Sequence, residues 1–142
     1  MARARWFSPA TLLLVMAGGA VGVAARAAIV LPLGAGTHPL VVPAVTLLIN
    51  VAGSLLLGVV VGWLGDRRPR LRAFLGTGVL GGFTTYSAFA VQTVTTAADA
   101  PLVGLALAVV SVFAGAVAAA AGLRLGRAAG LAPVGAPPEA AE

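Results

Sequence analysis

Four apolar stretches, each long enough to cross a lipid bilayer, dominate this chain. They extend from residue 10 to 32, from 40 to 64, from 73 to 98 and from 102 to 123. At about 1.5 Å of rise per residue, a helix of this length spans a hydrocarbon core of about 30 Å. Lipid offers no hydrogen-bond partners, so each stretch must satisfy its own backbone as a helix. The pattern predicts an all-α integral membrane protein with four transmembrane helices.

The composition supports this interpretation. Hydrophobic residues make up 60% of the 142 residues and charged residues only 9%, too few to cover a soluble globule. The chain has no cysteine, which excludes disulfides, thiolate catalysis and cysteine-based metal sites. The net charge of +5 does not indicate nucleic-acid binding, because the arginines flank apolar stretches and form no basic soluble surface. We therefore expect no nucleic-acid partner.

The arginines predict the orientation in the membrane. Four spans put the N-terminus, the second loop and the C-terminus on one side, where Arg3, Arg5, Arg67, Arg68, Arg70, Arg72, Arg124 and Arg127 all fall. An excess of arginine marks the cytoplasmic side. We expect a multi-pass protein of the plasma membrane with both termini in the cytoplasm. The charged start also fits a signal peptide, but the first stretch is longer than a typical signal core and three further spans follow.

The third apolar stretch contains residues that a plain membrane helix would avoid. Gly81-Gly82 and Thr84-Thr85 lie at its centre, and glycine and threonine are poor helix formers. Irregular backbone at membrane depth is tolerated where it lines a cavity or binds an ion. We therefore expect this helix to be broken near its centre in order to bind or conduct an ion.

Small residues recur on one face of the first, second and fourth spans. Gly18 and Gly22, Gly58 and Gly62, and Gly122 are examples at helical spacing. Such faces allow helices to approach closely. Because a single four-span unit can hardly enclose a pathway, we expect the chain to associate into an oligomer through them.

The polar side chains within the spans favour an anion over a cation. They are Arg26, Thr46, Asn50, Ser54, Thr84, Thr85, Tyr86, Ser87, Gln92 and Ser111. Hydrogen-bond donors in a narrow path suit a small anion whose lost water must be replaced. Tyr86 and Phe89 share a helix face and can meet an anion with their ring edges, although this spacing also fits simple packing. Asn50 fits an interhelical hydrogen bond as well as a functional role.

The acidic residues argue against catalysis and proton coupling. Asp66, Asp99, Glu139 and Glu142 fall outside the spans, and the sequence offers no catalytic triad or ligand cluster. We expect that the protein is not an enzyme. A small multidrug-type transporter with proton coupling needs an acid within the membrane. Two alternatives remain: the chain is such a transporter, or it is a structural subunit that completes a homologue's pore.

Three motifs carry a resemblance to a known family. Residues 18 to 26 read G-G-x-x-G-x-x-x-R, residues 46 to 54 read T-x-x-x-N-x-x-G-S, and residues 81 to 89 read G-G-F-T-T-Y-S-A-F. In this order on the first three spans, they resemble the fluoride-specific ion channel family, also called Fluc or CrcB. The resemblance covers nearly the whole chain.

This resemblance implies a channel subunit, residues 1 to 127, that exports fluoride passively from the cytoplasm and reduces its toxicity. Residues 128 to 142 are expected to be a disordered tail. Family members form antiparallel dimers with two pores and a structural sodium ion that is not transported. The resemblance assigns this sodium to the backbone carbonyls of Gly81 and Thr84 from both subunits. It assigns the anion pathway to Arg26, Thr46, Asn50, Tyr86, Ser87, Phe89 and Ser111.

The chain departs from the family pattern at a few positions. Tyr86 replaces the usual phenylalanine, Leu80 a common cysteine, and Ala88 and Ala90 common hydroxyl residues. Family members that insert in both orientations have balanced loop charges, whereas this chain has its loop and terminal arginines on one predicted side of the membrane. We therefore expect an antiparallel heterodimer with an oppositely oriented homologue, and a dual-topology homodimer is the alternative.

Overall fold

The structure, a computed structural model, describes residues 8–33 and 36–130. Its elements are α1 (Pro9–Val30), a 3₁₀ turn (Leu31–Leu33), α2 (Val41–Leu64), α3 (Pro69–Arg72), a π-helix (Ala73–Leu80), α4 (Gly81–Phe83), α5 (Tyr86–Asp99) and α6 (Pro101–Gly130). Within these residues, four segments are long and apolar enough to span a membrane, namely Pro9–Leu33, Val41–Leu64, Pro69–Asp99 and Pro101–Gly130. The predicted all-α, four-span architecture is confirmed.

Glycine and proline mark the ends of the spans. Proline occupies the first turn of α1 at Pro9, where its missing N–H costs no hydrogen bond. α2 ends where Gly65 adopts a φ of 50°, a conformation that disfavours residues with a Cβ. α6 continues to Gly130, so residues 128 to 130 are helical and not part of the expected tail. Ala128 and Ala129 lie in this last part of α6, and alanine is the best helix former. The rest of that tail and the N-terminal arginines lie outside the described residues.

α1 packs against the first half of the third span through glycine. Gly18 and Gly22 are buried on α1. A Cβ on Gly18 would lie 3.0 Å from the Cα of Gly78, and a Cβ on Gly22 would lie 2.7 Å from the Phe83 nitrogen. Both distances are too short for a side chain, so these glycines allow two backbones to touch.

A second glycine interface joins α2 to α6. A Cβ on Gly58 would lie 2.7 Å from the Leu123 nitrogen, and a Cβ on Gly122 would lie 3.0 Å from the Val59 nitrogen. The sequence predicts that the chain associates through its small-residue faces, but at these glycines the faces pack against other helices of the same chain. An oligomer would therefore form through other surfaces.

The third span is interrupted, as predicted, but after the glycine pair. Gly81 is helical, with φ −64° and ψ −37°. The chain becomes extended at Thr84, with ψ 159°, and at Thr85, with φ −147° and ψ 114°. Gly82 serves close packing instead, because a Cβ there would lie 3.1 Å from the Cα of Gly19 on α1.

A π-helix precedes the interruption, which the sequence did not predict. The N–H of Gly81 reaches back to the carbonyls of both Gly76 and Gly78. Gly78 contacts α1, while a Cβ on Gly76 would lie 3.4 Å from Leu57 of α2. The π-helix therefore lies between these helices, and π turns occur frequently at functional sites.

Candidate ion site at the broken helix

Asn50 of α2 holds the interruption in place. Its Nδ2 donates to the Thr85 carbonyl at 3.0 Å, and the Thr85 N–H donates to its Oδ1 at 2.8 Å. Buried backbone groups need hydrogen-bond partners. The Asn50 amide supplies one donor and one acceptor to Thr85, where the interrupted helix supplies neither. The interhelical hydrogen bond considered for Asn50 is present.

Thr85 starts the second half of the third span. Its Oγ1 accepts a hydrogen bond from the Ala88 N–H at 3.2 Å, the usual role of a threonine at a helix N-cap. The Ser87 Oγ lies 3.3 Å from the same Oγ1. Thr85 was not assigned to the site from the sequence, although a threonine directly before a helical restart is a recognised start signal.

The backbone carbonyls of Gly81 and Thr84 are among those that lose their helical partners at the interruption. In a regular helix, the Gly81 carbonyl would accept from the Thr85 N–H, and the Thr84 carbonyl from the Ala88 N–H. These N–H groups donate to Asn50 and to the Thr85 hydroxyl instead. The freed carbonyls belong to the residues that the family resemblance assigned to sodium. Within residues 8–33 and 36–130 there is no cluster of histidine, cysteine, aspartate or glutamate suited to a metal, so a cation here would rely on such oxygens.

A cavity of about 320 Å³ lies beside the interruption, between α2, the third span and α6. It brings together six of the predicted site residues: Asn50, Gly81, Thr84, Tyr86, Phe89 and Ser111. Ser54 and Thr85 also line it. Ser54 is one of the polar side chains within the spans but was not predicted as a site residue. Its position one turn after Asn50 was the available signal.

The aromatic pair forms the α5 side of this cavity. The ring centroids of Tyr86 and Phe89 lie 6.0 Å apart, with the ring planes tilted by 52°. Such an arrangement presents ring edges, which carry partial positive charge. The Tyr86 side chain is 81% exposed in the single chain, so this wall of the cavity faces outward.

Ser111 lies on the α6 side of the cavity. Its Oγ is buried and has no hydrogen-bond partner within the part of the chain that the structure describes. An unsatisfied buried hydroxyl costs about 1–3 kcal/mol. A hydroxyl left without a partner at a cavity wall is well placed to donate to a ligand.

Three predicted pathway residues are not part of the cavity lining. Arg26 is half-buried on α1, and its Nε donates to the Gly82 carbonyl at 3.4 Å. It therefore approaches the third span from the α1 side. Thr46 is 3% exposed, one turn before Asn50. Ser87 is exposed, and its Oγ lies 3.3 Å from the Thr85 Oγ1 at the edge of the site.

Comparisons with known proteins agree on one family. Residues 13–123 match the sequence model of the family described as "CrcB-like protein, Camphor Resistance (CrcB)". The chain is 42% identical over 115 residues to the fluoride-specific ion channel FluC 2 of Bacillus subtilis (strain 168), covering 80% of this chain and 85% of that protein. It is also 42% identical over 136 residues to the FluC 2 of Leifsonia xyli subsp. xyli, covering 84% and 86%. It is 44% identical over 91 residues to the fluoride-specific ion channel FluC of Roseobacter denitrificans, covering 60% and 69%.

These matches cover the features described above. Residues 13–123 include Arg26 and all residues that line the cavity at the interruption. The similar proteins are named as ion channels and not as enzymes, which agrees with the expectation from the acidic residues. The four spans, the interrupted third helix and these matches together show that the chain belongs to the CrcB-like family.

Proposed function

We propose that this chain is a subunit of a fluoride channel, through which fluoride leaves the cytoplasm passively so that its toxicity is reduced. The observation that carries the proposal is the cavity beside the helix interruption, where an amide, hydroxyls and aromatic ring edges converge. The similar proteins named above are fluoride-specific ion channels.

The cavity chemistry suits a small anion. Fluoride holds its water tightly, so a pathway must replace the lost hydrogen bonds. The Ser111 hydroxyl has none within the described residues and can donate to the anion. Asn50 gives one Nδ2 hydrogen to the Thr85 carbonyl and retains the other, because a primary amide has two. No charged residue lines the cavity, so an anion can be bound weakly enough to leave again.

The freed carbonyls fit a structural sodium ion, which we propose is held by Gly81 and Thr84. Carbonyl oxygens are hard ligands that suit a hard cation, and the N–H groups that would otherwise occupy them bond elsewhere. Two carbonyls are too few to surround a cation, and we propose that the same two carbonyls of a second subunit supply further ligands. Such an ion supplies positive charge and a link between two subunits. A higher apparent melting temperature in sodium than in potassium or N-methylglucamine chloride would support this site, and equal values would contradict it.

A second subunit fits the exposed part of the site. Tyr86 is 81% exposed, and Gly81 is also exposed, although both line the cavity. A polar cavity left open to lipid is unfavourable, and a partner would close it. We propose an antiparallel dimer with a homologue of opposite orientation, with a dual-topology homodimer as the alternative.

The distribution of arginine supports one orientation. Arg67 Nη1 donates to the Gly130 carbonyl at 3.1 Å, so the second loop and the end of α6 lie together. Six arginines thus gather at this end, namely Arg67, Arg68, Arg70, Arg72, Arg124 and Arg127. By the positive-inside rule this end faces the cytoplasm, which would put both termini there in the plasma membrane.

Halide efflux from liposomes tests the proposed function. The purified chain is reconstituted alone and together with its oppositely oriented homologue, and fluoride and chloride release are followed with ion-selective electrodes. We expect rapid fluoride efflux and much slower chloride efflux, because the small cavity donors match fluoride. Equal rates for both halides would contradict the selectivity. Unchanged flux in the Phe89→Ile variant would favour a purely structural subunit.

A further inference from the structure

We propose that a cationic cavity at the arginine-rich end of the molecule binds the phosphate group of an anionic phospholipid. The cavity, of about 250 Å³, lies between the end of α2, the loop that follows it and the end of α6. Arg67, Arg127 and Trp63 line it. It shares no residue with the cavity at the helix interruption, so it is a separate site.

Glycine packing brings the lining residues together. A Cβ on Gly62 would lie 2.8 Å from the Arg127 nitrogen, and a Cβ on Gly126 would lie 2.8 Å from the Trp63 nitrogen. The backbones of α2 and α6 therefore touch directly beside the cavity. The hydrogen bond from Arg67 to the Gly130 carbonyl, at 3.1 Å, then holds the Arg67 guanidinium against the end of α6.

The cavity has an excess of positive charge. Its one acidic lining residue, Asp66, pairs with Arg72 at 3.2 Å, and Arg72 is not part of the lining. Arg67 uses one of its five guanidinium hydrogens for Gly130, which leaves four donors. Within residues 8–33 and 36–130, the Arg127 side chain makes no hydrogen bond or ion pair. Both arginines that line the cavity thus retain guanidinium donors that an anion can accept from.

Phosphate is the anion that fits these groups best. The planar guanidinium matches phosphate oxygens with paired hydrogen bonds, and the cavity is far larger than a halide ion needs. Its position favours a lipid as the source of the phosphate. Trp63, which is 48% exposed, lies in the last turn of a membrane span, and tryptophan is enriched at the headgroup level. Basic pockets between transmembrane helices at this level bind anionic headgroups.

Native mass spectrometry of the full-length protein tests the site. The probes are phosphatidylglycerol, phosphatidylcholine and, as a soluble phosphate, glycerol phosphate. We expect the wild-type protein to retain phosphatidylglycerol preferentially. Retention should fall about fivefold for each arginine removed, and about thirtyfold in the double variant Arg67→Gln with Arg127→Gln. Arg124→Gln is the matched control, since it removes the same charge from an exposed position of α6 outside the cavity and should retain the lipid.

Two results would overturn the proposal. An equal loss in Arg124→Gln would indicate diffuse surface attraction, and displacement of the lipid by an equal concentration of glycerol phosphate would indicate a soluble ligand. If the double variant does not fold, Arg127→Gln alone serves, because Arg127 has no side-chain partner in the described residues to lose, and its fivefold effect remains measurable. Fluoride efflux is recorded in parallel, so that failure of lipid binding is distinguished from failure of the channel function.

Discussion

At the scale of single residues, Asn50 connects the second span to the interruption in the third. Its amide both donates to and accepts from the backbone of Thr85. Thr85 is only 9% exposed, so its backbone groups have little access to water. One side chain therefore stabilises a backbone conformation that the membrane would otherwise disfavour.

Replacing Asn50 with leucine is expected to lower the free energy of unfolding by about 2–6 kcal/mol. The substitution leaves the N–H and the carbonyl of Thr85 without partners, and each unsatisfied group costs about 1–3 kcal/mol. The measurement is the apparent melting temperature in detergent. Ser54→Ala, on the same cavity wall, is the control and should melt near the wild-type temperature. Similar losses in both variants would show that the amide has no special role.

Ser111 and Thr93 form a matched pair for the anion pathway. Both hydroxyls are buried without a partner in the described residues, but only Ser111 lines the cavity at the interruption. Ser111→Ala should reduce fluoride efflux about tenfold, the equivalent of one hydrogen bond, without loss of stability. Thr93→Val should leave efflux unchanged. Equal efflux from the two variants would remove Ser111 from the pathway.

At the scale of helices, glycine determines which spans touch. α1 packs on the π-helix and α4, and α2 packs on α6, each through backbone contact at glycine. Because lipid provides no hydrophobic force between helices, close van der Waals packing supports these pairs. The interruption is thus held on one side by α1 and on the other by Asn50 of α2.

Two neighbouring glycines of α1 test this packing. A Cβ on Gly22 would clash with the backbone at Val79 and Phe83, whereas a Cβ on Gly19 would meet no atom within 4 Å. Gly22→Ala is expected to lower stability by about 1–3 kcal/mol through overpacking. Gly19→Ala should be neutral or stabilising by up to about 1 kcal/mol, because alanine is the better helix former. Thermal unfolding followed by size-exclusion chromatography measures both, and the reverse order of stability would refute the interface.

At the scale of the whole molecule, charge and exposure are unevenly distributed. The arginines of the second loop and of α6 gather at one end, while the open side of the ion site carries the exposed Tyr86. The first feature favours a single orientation in the membrane, and the second favours a partner. Both features are compatible with the dimer proposed above.

A reporter fused to the C-terminus tests the orientation. The chain expressed alone should place this reporter only in the cytoplasm, because the arginines oppose translocation. Co-expression of the homologue should leave the orientation unchanged and should increase the recovery of a cross-linked heterodimer. A mixed orientation of the chain alone would instead support the dual-topology homodimer.

The sequence by itself determined the four spans, the clustering of arginine and the presence of an interruption in the third helix. These properties depend on local hydrophobicity, charge and helix propensity, which can be read along the chain. Only the tertiary structure decided that the interruption lies at Thr84 and Thr85 and that α1 faces the third span. It also decided that Asn50 and Ser111 share a cavity, while Arg26 approaches from another side. Those outcomes depend on contacts between residues far apart in the chain. The hydrophobic pattern alone does not distinguish between alternative packings of the four helices. Backbone contacts at glycine and the Asn50 amide select one of them.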